Sequence, residues 1–293
     1  MLPAAAGCVP GVESGPALLG PPAAAGWEHR GVPQPPRASP ATLAGAAFWA
    51  AAGALFAIAL AGGAQVGRPM LVAFLLPMQL VLALCWLAYV GAPDKIAGLG
   101  LASGAAVVAD LLAGRSGADM IGTFAGIIAV VVVLAVLAAL LRGQRVALTE
   151  TLAAQVSAVL VVLEPATYVA LRGTPGGREA LVVSFLALAG AAVLGRMAAL
   201  LLARPGWLGP VLPPWSRMVT VVGSWAAIGA LIGAALRGGD GALIGAAAAG
   251  AGGLADLAVA GVAGRRRSLY LGSLLPLSLA APVVYVLGRT LFG

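Results

Sequence analysis

From Leu43 onward the chain is a succession of long apolar runs separated by short stretches of Gly, Pro and Arg. The runs lie near 43–64, 70–90, 96–114, 118–141, 148–171, 179–203, 218–236, 241–264 and 269–291. At 1.5 Å of rise per helical residue, runs of this length match the roughly 30 Å hydrocarbon core of a bilayer. Backbone polar groups in hydrocarbon must be satisfied within their own segment, so such runs are expected to be helices. The pattern predicts an all-α fold: a polytopic membrane helix bundle of about nine transmembrane helices over residues 42–293. The boundary between the third and fourth spans is the least sharply marked. The connections carry breakers, such as Gly67-Arg68-Pro69, Gly91-Ala92-Pro93 and Gly173-Thr174-Pro175-Gly176-Gly177. The longest, Arg204–Arg217, reads RPGWLGPVLPPWSR, and its Trp207 and Trp215 fit an interfacial aromatic belt.

Residues 1–41 break the pattern. They are rich in Pro, Ala and Gly, lack periodicity and hold too little apolar surface to build a core, so they are expected to form a disordered cytoplasmic tail. Leu2–Cys8 has the outline of a lipoprotein box but lacks the charged and apolar regions of a signal peptide.

Composition agrees with the pattern. The mean hydropathy is +1.03; 61% of residues are hydrophobic and only 9% are charged, against about a quarter in soluble domains. The chain therefore reads as an integral membrane protein. Its net charge of +7 does not point to nucleic acid, because the basic residues are dispersed among the loops and no basic stripe interleaves with aromatics. Their distribution sets orientation instead. One side carries Arg30, Arg37, Lys95, Arg142, Arg145, Arg204, Arg217 and Arg265–Arg267, ten in all, and the other carries Arg68, Arg115, Arg172, Arg178, Arg237 and Arg289, six in all. Ten against six places the N-terminus in the cytoplasm and the C-terminus outside, in a multi-pass protein of the cell membrane.

Candidate chemistry is sparse. Cys8 and Cys85 form neither a metal spacing nor a disulfide framework, and the single histidine, His29, lies in the tail. There is no phosphate loop, zinc-type His motif, GxSxG elbow or Ser/His pair, so no cofactor, metal or catalytic residue is expected. What remains are ionisable residues inside apolar runs. Glu164, Arg196 and Asp256 are the intramembrane polar candidates; a central charge costs at least ~2.5–3.5 kcal/mol, so each needs a partner or water. Glu164 precedes Pro165, whose missing N–H bends the helix and frees a carbonyl, a pattern suited to a polar cavity. A structural ion pair of Arg196 with Glu164 or Asp256 is the alternative. Glu150 and Asp110 are expected at the interfaces, reaching headgroups.

In the run Gly241–Arg267, Gly241, Gly245, Ala249 and Gly253 recur every four residues, a stripe that lets another backbone approach. Asp256 continues that stripe, roughly 14 Å above Arg265–Arg267 and close to mid-membrane. The small pairs Gly229/Gly233 and Gly100/Gly104 have the same packing spacing. Arg265, Arg266 and Arg267 would attract anionic headgroups by about 1 kcal/mol each, and they serve equally as a topology anchor.

From about Met218 to Gly293 the chain resembles the C-terminal part of the phosphatidate cytidylyltransferase (CDP-diacylglycerol synthase) family. The resemblance rests on an Ala/Gly-rich helix ending in Leu254-Ala255-Asp256-Leu257, a basic loop, Ser273-Leu274-Leu275-Pro276, and Ala281-Pro282-Val283-Val284-Tyr285. Enzymes of that family join CTP to phosphatidate with two metal ions held by acidic residues. The resemblance aligns Asp256 with the aspartate of the family's Gly-Asp pair, with Ala255 in place of the glycine. Val259-Ala260 stands where the family has Glu-Ser, and Ala263-Gly264 where it has Lys-Arg. The later Lys-Asp, Pro-Gly-His-Gly-Gly and Asp-Arg-x-x-Asp elements have no counterpart in Ser268–Leu279. The resemblance therefore implies a degenerate, non-catalytic relative that binds membrane lipid, anionic phospholipid in particular, or a membrane protein partner. Two other readings stay open: a transporter or transport subunit using the intramembrane carboxylates, and a lipid-modifying transferase.

Overall fold

The computed structural model describes residues 40–116, 120–141, 148–198, 214–262 and 268–292, all within one unit, Ser39–Gly293. The bulk of the expected tail, residues 1–39, and the triplet Arg265–Arg267 lie outside the described residues.

Those residues form α1 (Pro40–Val66), α2 (Arg68–Tyr89), α3 (Lys95–Ser116), α4 (Met120–Leu141), α5 (Leu148–Leu163), α6 (Ala166–Arg172), α7 (Gly177–Gly190), α8 (Pro214–Val262) and α9 (Ser268–Phe292). No strand occurs among them. Eight segments are long and apolar enough to cross a membrane, and one of these, Met218–Val259, runs for 42 residues. It is not one straight rod. Arg237 and Gly238 leave helical geometry, Gly238 with a φ of +66° that residues with a side chain rarely adopt.

The chain folds back there into an antiparallel hairpin. Gly229 lies against Gly245 and Gly233 against Gly241, so closely that a Cβ on any of the four would collide with the opposite backbone. The glycine stripe read from the sequence thus packs on the glycines of the preceding arm, and α8 supplies two of the nine expected runs. Gly100 and Gly104, with the same spacing on α3, meet nothing within 4 Å; the α3 glycines with close neighbours are Gly98, against Leu87 and Gln155, and Gly114, against Arg68. Spacing alone does not say whether a partner is there.

α5 and α6 form one crossing interrupted at Glu164-Pro165. That crossing and α9 are the most enclosed, 67% and 72% buried. α9 packs on α8, α1, α7, α6 and α2. α4 sits at the edge, packed chiefly on α3 and α5, and only 17% of its apolar span is buried. Val130, Val133, Leu134 and Leu137 point outward from it, as suits a surface whose solvent is lipid. Arginines close several helix ends. Arg68 Nη1 donates to Gly114 O at 2.7 Å, Arg172 Nε donates to Ala64 O at 2.7 Å, and Arg237 at the hairpin turn pairs with Glu179 in the first turn of α7.

Candidate functional site

The three intramembrane candidates separate into two clusters along α9. Arg196 and Asp256 form an ion pair, Nη2 to Oδ1 at 2.6 Å. Arg196 follows the π-helical turn Ala191–Gly195 that ends α7's regular geometry, a feature that locally re-aims side chains. Its Nη2 also donates to the carbonyl of Gly272 on α9. That carbonyl has a specific reason to seek a donor: Pro276, four residues on, has no N–H to offer it. The guanidinium therefore satisfies a carboxylate on α8 and a proline-freed carbonyl on α9 together. Both side chains are partly exposed, 16% for Arg196 and 24% for Asp256.

A small cavity adjoins the pair, about 10 Å³ and lined by Gly53, Ala57, Trp225, Ser273 and Pro276 among others. That is room for about one water molecule. Trp225 is fully buried, with its ring over Gly195 and Gly253. Its Nε1 has no acceptor among the described residues.

Glu164 belongs elsewhere, with Asp110 and with Gln79, Tyr168 and Ser278, which no sequence signal singled out. Pro165 removes the donor that Val161 O would have received, and the hydroxyl of Ser278 on α9 takes that role at 2.7 Å. Ser278 Oγ also lies 2.9 Å from Glu164 Oε2. The next carbonyl, Val162 O, accepts from Gln79 Nε2 of α2 at 3.1 Å, and the same amide donates to Asp110 Oδ1 of α3 at 3.3 Å. Tyr168 on α6 donates its hydroxyl to Leu277 O at 2.7 Å. Four crossings thus converge on the break: α2, α3, α5–α6 and α9.

The cluster is deeply enclosed. Gln79 and Ser278 are 0% exposed and Asp110 3%, so Asp110 faces the bundle interior and not the headgroups as expected, because Gln79 gives it an internal partner. Glu150, by contrast, is exposed. Two acceptors of the cluster, Gln79 Oε1 and Asp110 Oδ2, have no hydrogen-bond partner among the described residues. Three signals pointed here: a Gln inside an apolar run, an Asp inside another, and a Ser on the most buried helix. None singles out a site alone, since each finds its partner only after folding.

Among the described residues no group of three or more His, Cys, Asp or Glu could hold a metal ion. Glu164 and Asp110 instead share a set of oxygen acceptors with few hydrogens. Set against known proteins, the chain matches no family model, no curated protein and no solved structure. What the fold and the site define is a class: a multi-pass helical membrane protein with a polar core at an interrupted helix.

Proposed function

We propose that the protein is a membrane transport protein, or the transport subunit of a larger assembly, and that its path for a small cation passes the α5–α6 break. The observation that carries this reading is the break itself. Irregular backbone at membrane depth is tolerated where it lies inside protein or lines a polar path, and freed carbonyls at helix breaks are the oxygens that bind coupling cations in transporters. Here the break brings Glu164, Asp110, Val161 O and Val162 O into one enclosed region. Ionisable residues inside a bundle are costly to place there and mark ion pathways by default.

The test is flux. Purified protein reconstituted into vesicles is expected to conduct Na⁺, K⁺ or H⁺ under an imposed potential or gradient, and Glu164→Gln is expected to abolish that flux while the protein stays monodisperse and helical. Wild-type vesicles as tight as empty ones to all three ions would overturn the reading.

A second reading, a non-catalytic membrane protein that binds anionic phospholipid or a protein partner, draws support from Asp256. On the resemblance to the cytidylyltransferases this residue would help hold a metal, yet its carboxylate is held by Arg196, a cation. Native mass spectrometry would test it: a retained phospholipid lost on replacing Arg265–Arg267 supports that reading, and a lipid-free wild type sinks it.

A further inference from the structure

Hydrogen counting around the break identifies what the site takes up. The amide of Gln79 has two N–H hydrogens, and both are used, on Asp110 Oδ1 and Val162 O. Its oxygen and the second oxygen of Asp110 are left over, in residues that are 0% and 3% exposed. Across the cluster, Ser278 has one hydroxyl hydrogen but two acceptors within reach, Val161 O at 2.7 Å and Glu164 Oε2 at 2.9 Å. With both carboxyl groups ionised, the cluster has more buried acceptors than hydrogens to satisfy them, an expensive state at low dielectric.

One proton on each carboxyl removes the shortfall. Protonated Asp110 has a hydrogen on Oδ2 to offer Gln79 Oε1 while Gln79 Nε2 donates to Asp110 Oδ1, an acid–amide pairing that would use both leftover atoms. Protonated Glu164 donates to Ser278 Oγ, which then gives its single hydrogen to Val161 O. A proton also needs no cavity of its own, and the groups of the cluster are already within direct hydrogen-bonding distance of one another.

We propose that Asp110, paired with Gln79, is a proton-binding residue in the core of this protein, with Glu164 and Ser278 as the adjoining protonatable position, so that the ion moved past the break is H⁺. This rests on the transport reading above only for the movement; the binding stands on the hydrogen count. The proton comes from water on one side, converts a carboxylate to a carboxylic acid and leaves as the acid ionises again, with no other bond made or broken.

Few other charges face the site. On α2, Arg68 reaches Gly114 O, one turn beyond Asp110. On α3 itself Arg115 lies in the last turn, and Lys95 sits at the opposite end. The α5–α6 crossing presents Glu164 and Tyr168, and carries Glu150 and Arg172 at its two ends; α4 has no ionisable residue between Met120 and Leu141; α9 carries Tyr285 and Arg289 two turns or more beyond Ser278. Among the described residues no cation contacts either carboxyl oxygen that the proton would occupy.

The experiment is infrared difference spectroscopy of the reconstituted full chain between acidic and alkaline buffer, paired with proton flux read by a pH dye trapped in the same vesicles. The wild type is expected to show a carbonyl band of protonated carboxylic acid that Asp110→Asn diminishes and Glu164→Gln diminishes further. Asn at 110 keeps an N–H donor for Gln79 Oε1 and mimics the protonated form. Should that variant not fold, Gln79→Leu reads the same group with the carboxyl intact: losing the amide partner is expected to shift the Asp110 band to higher frequency. A band unchanged by Asp110→Asn, or unmoved by Gln79→Leu, overturns the proposal. An Asp110 band in vesicles that pass no ion upholds proton binding and overturns transport. Flux of Na⁺ or K⁺ with no such band upholds transport and overturns proton binding.

Discussion

The hydroxyl of Ser278 stands 2.7 Å from the carbonyl of Val161, the one backbone oxygen that Pro165 deprives of its helical donor. The same relationship recurs between Arg196 and Gly272 O, freed by Pro276. In hydrocarbon a freed carbonyl has no water to turn to, and at Pro165 and Pro276 the demand is met by a side chain from another part of the bundle. Two of this protein's long-range polar contacts follow from that rule.

Removing Ser278 should therefore cost more while Pro165 is present. Ser278→Ala is expected to lower stability by about 0.6–1.7 kcal/mol, the range for interhelical hydrogen bonds in membranes. Pro165→Ala restores an N–H for Val161 O, and the Ser278 cost should shrink in that background. Thermal unfolding in detergent across the four-protein cycle measures the coupling; purely additive effects would separate the two residues.

The ion pair makes an opposite kind of prediction. Replacing either partner alone leaves a semi-enclosed charge unmatched, so Arg196→Met and Asp256→Leu should each destabilise by about 1–3 kcal/mol, below the range for fully buried pairs because both side chains retain some exposure. The double replacement should be more stable than the worse single variant, since no charge is then stranded. Unfolding midpoints of the three variants against wild type decide it.

In the arms of the α8 hairpin Gly229, Gly233, Gly241 and Gly245 are required by closeness and not by conformation. Gly233→Ala should lower the unfolding midpoint sharply, by the equivalent of about 1–3 kcal/mol, because its methyl must force the arms apart. Gly239→Ala, just after the turn and with nothing within 4 Å, should be neutral. Equal effects at the two positions would mean the arms are not in contact.

Orientation is also testable by labelling. The arginine asymmetry predicts that the α8 turn lies outside, so a cysteine at Gly239 in a background without Cys8 and Cys85 should react with an impermeant maleimide added to intact cells. One placed near Arg142 should react only after the membrane is opened. The reverse pattern would invert the topology.

Much of the architecture was legible because hydrocarbon imposes a simple rule on long apolar runs. The hairpin turn at Arg237-Gly238 and the interruption at Glu164-Pro165 announce themselves by Gly, Pro and charge. The pairing of Arg196 with Asp256 stood among the alternatives, since two opposite charges inside a bundle attract. Gln79, Asp110 and Ser278 were not legible as a site. They lie on three separate crossings, each is one polar residue in an apolar run, and only packing of α2, α3 and α9 around the break brings them together. Glu164 could be marked from the sequence, but its partner could not.

The hairpin of α8 bears on how the protein is made. With Arg237 and Gly238 turning the chain and four glycines packing the arms together, the second arm is expected to insert beside the first. Asp256 on that arm then has a partner already upstream in the chain, Arg196. The two arms are therefore expected to insert as one unit, and lengthening the turn should impair assembly before it affects any activity.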